Sequence, residues 1–496
     1  MKHISFLFSG LWLVVISTVL AASPPDTHLP RSAPEAQGIS SSAVLSLIDA
    51  LDQVDAMHSI MLARHGKVIA EGWWTPYEAQ RNHELYSLSK SFTSTAVGMA
   101  VAEGKLTLDD EVLKFFPEDA PAEASANLKA MRVRDLLTMS AGHQEETSSA
   151  ADKISAKAFL AHSVPHKPGT HFKYNTPATF MQSAIVQKQT GLSVLDYLRP
   201  RLFEPLGITN PVWNTNWQGI SLGGYGLRVR TEDIAKFGQL YLQKGKWQGK
   251  QLIPSPWIEL ATSRQVSNGS NPQSDWEQGY GFQFWRCRHG AYRGDGAFGQ
   301  YCVVLPEQDA VVAITSGVTN MQAVLNILWD KLLPAFQPHR LAADRDGQRQ
   351  LVQKLGSLQV RPVAGTSTSP LAAKVLGRKY IFPANDQKFE AITLRPDSSG
   401  DLIAIVEASG VESRFSCGFH KWKKSRGAFR TYPDEPIAGT MAWKSDDTLV
   451  LKLCPYETPY YQTLTLRFAG DEVSLDAVTN VSLRAAKPLQ LVGRAQ

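Results

Sequence analysis

The sequence predicts an α+β protein made of an antiparallel sheet flanked by helices, with a helical subdomain, and a C-terminal antiparallel β-barrel or sandwich. The first part alternates helix and strand patterns, and a mostly helical region at 105–275 interrupts the strands. After a Gly-, Thr- and Ser-containing segment at 361–370, short strand patterns separated by turns follow. With 496 residues, of which 43% are hydrophobic, the chain can form two or three domains with proper cores.

The elements of the first part follow from the spacing of apolar residues, which repeat every three or four positions in helices and alternate in strands. The predicted helices are 40–54, 87–103 (ended by Gly104) and 321–333. The predicted strands are 59–63 and 67–71, joined by a turn at His65-Gly66, and 280–287, 299–305 and 310–315. Helix, strands, a helical insertion, strands and helix therefore follow one another in this part.

The domain limits are set where the composition changes. We expect a signal peptide at 1–22, a first domain at 35–340, a linker at 341–372 with a connecting helix at 344–358, and a β domain at 373–496. The predicted strands of the β domain are 380–382, 390–394, 402–406, 448–453 and 463–468.

The net charge indicates which partners to expect, and the N-terminal sequence indicates the cellular compartment. The net charge is only +5 and no dense Lys/Arg run accompanies it, so nucleic acid is not an expected partner. Lys2 precedes an apolar run at 4–20, and small residues follow before Pro24. Because this order is typical of a secretory signal peptide, we expect cleavage after residue 21 or 22. The mature protein would be periplasmic or secreted, with no stable membrane anchor.

Export would permit disulfide bonds between the four cysteines, which allow three pairings. We expect Cys287–Cys302 and Cys417–Cys454, because each of these pairs lies inside one predicted domain. Four buried free thiols are the alternative.

The first candidate catalytic pair is Ser87 and Lys90, in the sequence Ser-x-x-Lys at the start of a predicted helix. Residues three apart share a helix face, so the hydroxyl and the amine can meet. A serine hydroxyl needs such a partner, since it is a weak nucleophile by itself. A buried lysine loses its proton more readily and can act as the base.

Two further segments complete the candidate site. Tyr174 lies in a loop just before a predicted helix, and we expect Lys90 to lower its pKa, so that it takes the proton from Ser87. The segment 294–301 opens a strand with glycines, and a backbone N–H there, with that of Ser87, would form an oxyanion hole. The residues expected to bind substrate or the oxyanion are Ser87, Asn175, Thr176, Asp295, Gly296 and Ala297.

In this order and spacing, the three motifs resemble the class C β-lactamase-related serine hydrolases, which have the serine β-lactamase/penicillin-binding (transpeptidase) fold. Further similar stretches are 104–110, 134–142 and 224–228. The resemblance covers roughly residues 35–335 and implies that Ser87 is the acylated nucleophile, Lys90 its activating partner and Tyr174 the general base. The C-terminal domain resembles the lipocalin-like domains that some of these hydrolases carry, where it could serve as a lid, a substrate selector or a dimer contact.

The sequence departs from this family's pattern at two positions. The Asn of the family's Tyr-x-Asn is replaced by Thr176, and its Lys-Thr-Gly or His-x-Gly by Gly294-Asp295-Gly296. The cation that would hold a substrate carboxylate is therefore missing, or is Arg293 in a shifted register. This pattern resembles the carboxylesterase and 6-aminohexanoate-dimer hydrolase branch, which implies weak or no β-lactamase activity.

The leading hypothesis is therefore a serine hydrolase that cleaves small carboxylic esters or amides, without cofactor or metal. Prolines prevent His162, His166 and His171 from sharing one helix face, which disfavours a zinc site. The Gly-x-Ser-x-Gly at 219–223 lacks the strand and helix of a nucleophile elbow. The alternatives are a non-catalytic envelope binding or sensor protein on the same fold, and a D-aminopeptidase or cell-wall peptidase.

Overall fold

The computed structural model describes residues 28–429, 432–483 and 489–496. The predicted signal peptide at 1–22 lies outside these described residues. No helix among them is long and apolar enough to cross a membrane.

The first part contains the strands β1 (Met57–Arg64), β2 (Lys67–Trp73), β3 (His83–Glu84), β4 (Val212–Trp213), β5 (Leu227–Val229), β6 (Lys246–Trp247), β7 (Lys250–Gln251), β8 (Trp285–Arg286), β9 (Tyr292–Gly296), β10 (Gln300–Leu305) and β11 (Ala310–Ser316). Its main sheet is antiparallel, in the order β2-β1-β11-β10-β9-β8. A separate small sheet has the strand order β3-β5-β4.

The helices are α1 (Ser41–Asp52), α2 (Ser89–Ala102), α3 (Ala126–Ala130), α4 (Val133–Leu137), α5 (Ala156–Leu160), α6 (Thr176–Thr190), α7 (Val194–Leu198), α8 (Thr231–Leu242), α9 (Ser255–Thr262), α10 (Met321–Ile327), α11 (Arg345–Gly356) and α12 (Ala372–Val375). The main sheet separates two cores: α1, α10 and α11 pack on one face, and α8 with the helical subdomain covers the other. All eight residues of β1 are buried, as expected for a strand covered on both faces. The α+β prediction is confirmed.

The predicted strand at 280–287 is much shorter than expected, since only Trp285–Arg286 pairs with β9. Gly279 and Gln283 both have a positive φ, which bends the chain out of an extended path. The predicted helix at 87–103 also begins later, because a 3-10 turn at Tyr86–Leu88 precedes α2.

The C-terminal strands are β12 (Lys379–Ile381), β13 (Phe389–Pro396), β14 (Leu402–Ala408), β15 (Val411–Phe419), β16 (Lys423–Phe429), β17 (Tyr432–Ser445), β18 (Thr448–Pro455), β19 (Gln462–Ala469), β20 (Glu472–Thr479) and β21 (Leu489–Ala495). Antiparallel pairing runs from β15 through β12 and β21 to β16. Parallel pairing between β15 and β17 closes nine of these strands into a barrel. Of the two predicted alternatives, the C-terminal domain is therefore a barrel and not a sandwich. Aromatic and aliphatic side chains fill its interior.

The predicted disulfides are wrong, because all four cysteines are free and buried. Cys287 and Cys302 belong to the cores on opposite faces of the main sheet. Cys417 lies in the barrel interior, whereas Cys454 packs in the core shared with the first domain. Membership of one domain therefore did not bring the members of either pair together.

Candidate active site

The candidate nucleophile Ser87 lies in the 3-10 turn between β3 and α2, and its side chain is half-buried. The residue before it, Tyr86, has a φ of 49°, in the left-handed region that bulky residues rarely adopt. The N–H of Leu85 donates to the carbonyl of Leu227 in β5, which holds the approach to this turn. The serine is thus presented on a tight turn at the start of a buried helix.

Lys90 lies one helical turn further on and is 1% exposed. Its Nζ is 3.0 Å from Ser87 Oγ and 2.8 Å from the carbonyl oxygen of Gly224. Burial lowers the pKa of Lys90 to about 7, although the nearby charges of Glu146 and Asp295 act to raise it. A neutral amine 3.0 Å from the hydroxyl is placed to accept its proton.

Tyr174 lies beside this pair: the Lys90 Nζ is 5.0 Å from the centroid of its ring. The ring of Trp285 stacks on that of Tyr174, with the ring centroids 5.4 Å apart. Burial, and then the charge of Asp295, raise the pKa of Tyr174 well above its ordinary value, while an interaction with Ser87 acts to lower it. The expected lowering of this pKa by Lys90 is therefore wrong: burial raises it, and the phenol stays protonated.

The side chains of the two residues after Tyr174 have different partners. Asn175 is 2% exposed, and its Oδ1 accepts the N–H of Ala178, so it caps α6. Thr176 Oγ1 lies 3.4 Å from Lys90 Nζ, a longer approach than that of the Gly224 carbonyl. The Thr176 hydroxyl therefore reaches Lys90 at the position where the family pattern has an amide.

The third motif lies on β9, where side chains alternate between two faces. Gly294 and Gly296 face the nucleophile, and a Cβ at Gly296 would be 2.0 Å from the Leu85 carbonyl oxygen and 3.0 Å from Ser87 N. This close approach requires glycine and brings the turn at Ala297 beside Ser87. Ser87 N–H and the N–H of Ala297 are thereby the candidate oxyanion donors.

Arg293 and Asp295 point away from those glycines and pair with each other, with Arg293 Nε 2.8 Å from Asp295 Oδ2. Arg293 is fully buried, its Nη1 donates to the carbonyl of Asp275 at 2.6 Å, and its guanidinium lies over the ring of Trp276. The guanidinium is therefore buried and bonded to interior partners. It is not available to bind a substrate carboxylate in the cleft.

Several residues that shape the site were not among the site residues predicted from the sequence. Glu146 accepts the N–H of Thr176 at 3.0 Å and acts on the pKa of Lys90, although it lies in an irregular loop. Gly224 provides the lysine's carbonyl partner, and the sequence indicated only its place in the stretch 224–228, which is similar to the family. Tyr460 reaches the site from the barrel; the sequence showed Tyr460-Tyr461 only as an aromatic pair that could line a cleft or pack in a core or interface.

The close packing of Gly224 leads to a testable prediction. A Cβ at this position would be 2.7 Å from Thr176 Cγ2 and 3.4 Å from Lys90 Nζ. We expect Gly224→Ala to displace the lysine amine and lower kcat/KM about 10–100-fold, because small displacements of reacting groups are costly. Steady-state kinetics with a chromogenic ester would measure this loss.

Gly356→Ala is the matched control, since a Cβ there meets no atom within 4 Å. It should leave kcat/KM unchanged. Wild-type kcat/KM in Gly224→Ala would show that this glycine does not set the position of Lys90.

A protein-family model described as Beta-lactamase matches residues 49–327, which contain Ser87, Lys90, Tyr174 and β9. The 6-aminohexanoate-dimer hydrolase of Paenarthrobacter ureafaciens is 24% identical over 278 residues, covering 51% of this chain and 71% of the relative. A beta-lactamase of Escherichia coli (strain K12) is 26% identical over 234 residues, covering 42% of this chain and 58% of the relative.

Among solved structures, the hydrolase EstCE1, described as having promiscuous acyltransferase activity, superposes with a TM-score of 0.50 at 16% identity. The match covers 58% of this chain and 99% of EstCE1. At this identity the likeness establishes a shared fold over the matched part of the chain.

Proposed function

This chain belongs to the Beta-lactamase family and is a serine hydrolase of that family; we propose that it cleaves carboxylic esters or amides through an acyl-enzyme on Ser87. The observation that carries the proposal is the approach of Lys90 Nζ to within 3.0 Å of Ser87 Oγ, with the lysine buried and its pKa lowered to about 7. A non-catalytic binding protein has no need of a buried lysine whose pKa is lowered beside a serine.

In the proposed reaction, Ser87 Oγ attacks the carbonyl carbon while its proton passes to the neutral Nζ of Lys90. The N–H groups of Ser87 and Ala297 stabilise the negative oxygen of the tetrahedral intermediate. The ester C–O or amide C–N bond then breaks, and the leaving group takes a proton from the phenol of Tyr174, which Lys90 restores. Water attacks the acyl-Ser87 ester with proton transfer in the reverse direction and releases the acid.

The proposed substrates carry no carboxylate beside the scissile bond. Arg293, the cation offered by the third motif, pairs with Asp295 in the interior, and the acidic Glu146 lies near the reacting groups. An anionic group in the cleft would meet that carboxylate without a compensating cation from β9. We therefore propose that penicillins are poor substrates and that neutral small-molecule esters or amides are preferred.

The proposed site of action is the periplasm or the exterior of the cell, on the support of the signal-peptide pattern at 1–22. N-terminal sequencing of protein recovered from a secreting host would test this. A mature chain that begins after residue 21 or 22 is the expected result, and an intact N-terminus would contradict the proposal.

Intact mass spectrometry tests the acyl-enzyme directly. The protein is exposed briefly to p-nitrophenyl butyrate and, separately, to a penicillin, with Ser87→Ala treated in parallel. We expect a butyryl adduct or nitrophenol release that is lost in Ser87→Ala, because only Ser87 supplies the attacking oxygen. A butyryl adduct that persists in Ser87→Ala would overturn the assignment of the nucleophile.

A long-lived penicilloyl adduct without ester turnover would instead support the cell-wall peptidase alternative. The absence of both an adduct and turnover, with either reagent, would count against the hydrolase and in favour of a binding protein.

A further inference from the structure

The C-terminal barrel contacts the nucleophile turn through the loop at 456–461, which joins β18 to β19. The N–H of Glu84, at the end of β3, donates to the carbonyl of Glu457 at 2.9 Å, and the Tyr77 hydroxyl donates to the carbonyl of Thr458 at 3.0 Å. This loop is therefore bonded to the segment that leads into Ser87.

Tyr460 of the same loop reaches further into the site. Its hydroxyl is hydrogen-bonded to the hydroxyl of Tyr86, the residue that immediately precedes Ser87. Its ring makes edge contacts with Tyr86, with centroids 6.5 Å apart, and with Phe298, with centroids 5.8 Å apart. Tyr86 and Phe298 also contact each other edge to face at 5.3 Å. The three rings form one cluster, and Tyr460 is only 4% exposed.

Both partners of Tyr460 in the first domain have a strained backbone. Tyr86 has a φ of 49° and Phe298 a φ of 70°, in a region where aromatic residues are stable only if their surroundings hold them. Tyr86 precedes the N–H of Ser87, and Phe298 follows the N–H of Ala297. The two strained residues thus flank the two candidate oxyanion donors.

We propose that Tyr460 is a positioning residue: it clamps Tyr86 and Phe298 together and thereby sets the geometry of the oxyanion hole from the barrel. The inference rests on the proposed function for its kinetic consequence. The barrel then contributes to catalysis, because Tyr460, which positions the oxyanion hole, belongs to a barrel loop outside the first domain. Tyr460 itself does not contact the substrate.

Two variants separate the contributions of the hydroxyl and the ring. Tyr460→Phe removes the hydrogen bond to Tyr86 and keeps the ring contacts, so kcat should fall about fivefold. Tyr460→Ala removes both, and kcat should fall about 10–100-fold with little change in KM. The affinity for a boronic acid, which mimics the tetrahedral intermediate, should fall in parallel with kcat/KM.

The neighbouring Tyr461 supplies the matched control. Its hydroxyl bonds to Asp55 Oδ2 at 2.6 Å, a contact between the same loop and the first domain but remote from the nucleophile turn. Tyr461→Ala should leave kcat unchanged. The acid limb of the pH profile should be the same in all variants, because Lys90 is not part of the clamp.

Hydrogen exchange measures the clamp without relying on turnover. In Tyr460→Ala we expect faster amide exchange in peptides covering 85–88 and 296–299, with Tyr461→Ala as the reference. Unchanged exchange in both peptides would overturn the clamp, as would faster exchange with wild-type kcat. If exchange quickens but the wild-type protein shows no Ser87-dependent turnover, the proposed hydrolase function fails while the clamp stands. If Tyr460→Ala does not fold, Tyr460→Phe carries both readouts.

Discussion

Replacing Lys90 with Met should lower kcat/KM about 10²–10⁴-fold, the contribution that a positioned general base makes to proton transfer. The Nζ of Lys90 is 3.0 Å from Ser87 Oγ, and Met has a similar length without the amine. Steady-state ester hydrolysis, with circular dichroism to check folding, measures the loss. The unmodified protein should also show a defined pH dependence.

The sign of the expected pH dependence of kcat/KM follows from the pKa of Lys90, which burial lowers to about 7. Below this pH the amine carries a proton and cannot accept one from Ser87, and above it the amine is neutral. We therefore expect kcat/KM to rise with pH through about 7 and then level off.

Lys90→Arg is the informative control, because guanidinium keeps the positive charge at every accessible pH and cannot serve as a base. It should be as inactive as Lys90→Met. Substantial activity in Lys90→Arg would mean that the residue acts through its charge, and a pH profile without an inflection near 7 would contradict the proposed base.

The second large effect is expected for Gly296→Ala. A Cβ there would lie 2.0 Å from the carbonyl oxygen of Leu85, a backbone atom that cannot move without shifting the Ser87 turn. Separating β9 from this turn would weaken the oxyanion hole, where the loss of one donor costs about 10²–10³ in kcat. We expect a loss of kcat of that order, measured beside boronic acid affinity, which should fall in parallel.

Gly294→Ala, on the same strand and the same face, is the comparison. Its added Cβ would meet side-chain atoms of Leu88 and Ser91 at 2.5 Å rather than backbone, and side chains can adjust. It should therefore lose less activity than Gly296→Ala. Equal losses in the two variants would indicate general damage to β9 rather than a specific effect on the oxyanion hole.

The sequence and the structure agree where the information is local. The three-residue spacing of Ser87 and Lys90 predicted that their side chains meet, because it corresponds to about one helical turn. The α+β class followed from apolar periodicity, and the family resemblance rested on motifs that the family model also spans. These features depend on residues close together along the chain.

The errors and omissions share one cause, which is contact between distant segments. The predicted disulfides do not form, because the main sheet or the barrel wall separates cysteines that belong to the same domain. Tyr460 contacts Tyr86 across 374 positions of the sequence, and no local pattern marks such a partner.

The sequence by itself determined the fold class, the serine and lysine pair and the tyrosine beside them, since periodicity and motif order suffice for these. Only the tertiary structure distinguished Lys90 from Tyr174 as the proposed proton acceptor. Burial disfavours the charged form of any side chain, so it lowers the pKa of Lys90 to about 7 and raises the pKa of Tyr174, whose phenol stays protonated. Burial is a property of the packed whole, and the same packing turned Arg293 into the interior and brought the barrel to the nucleophile.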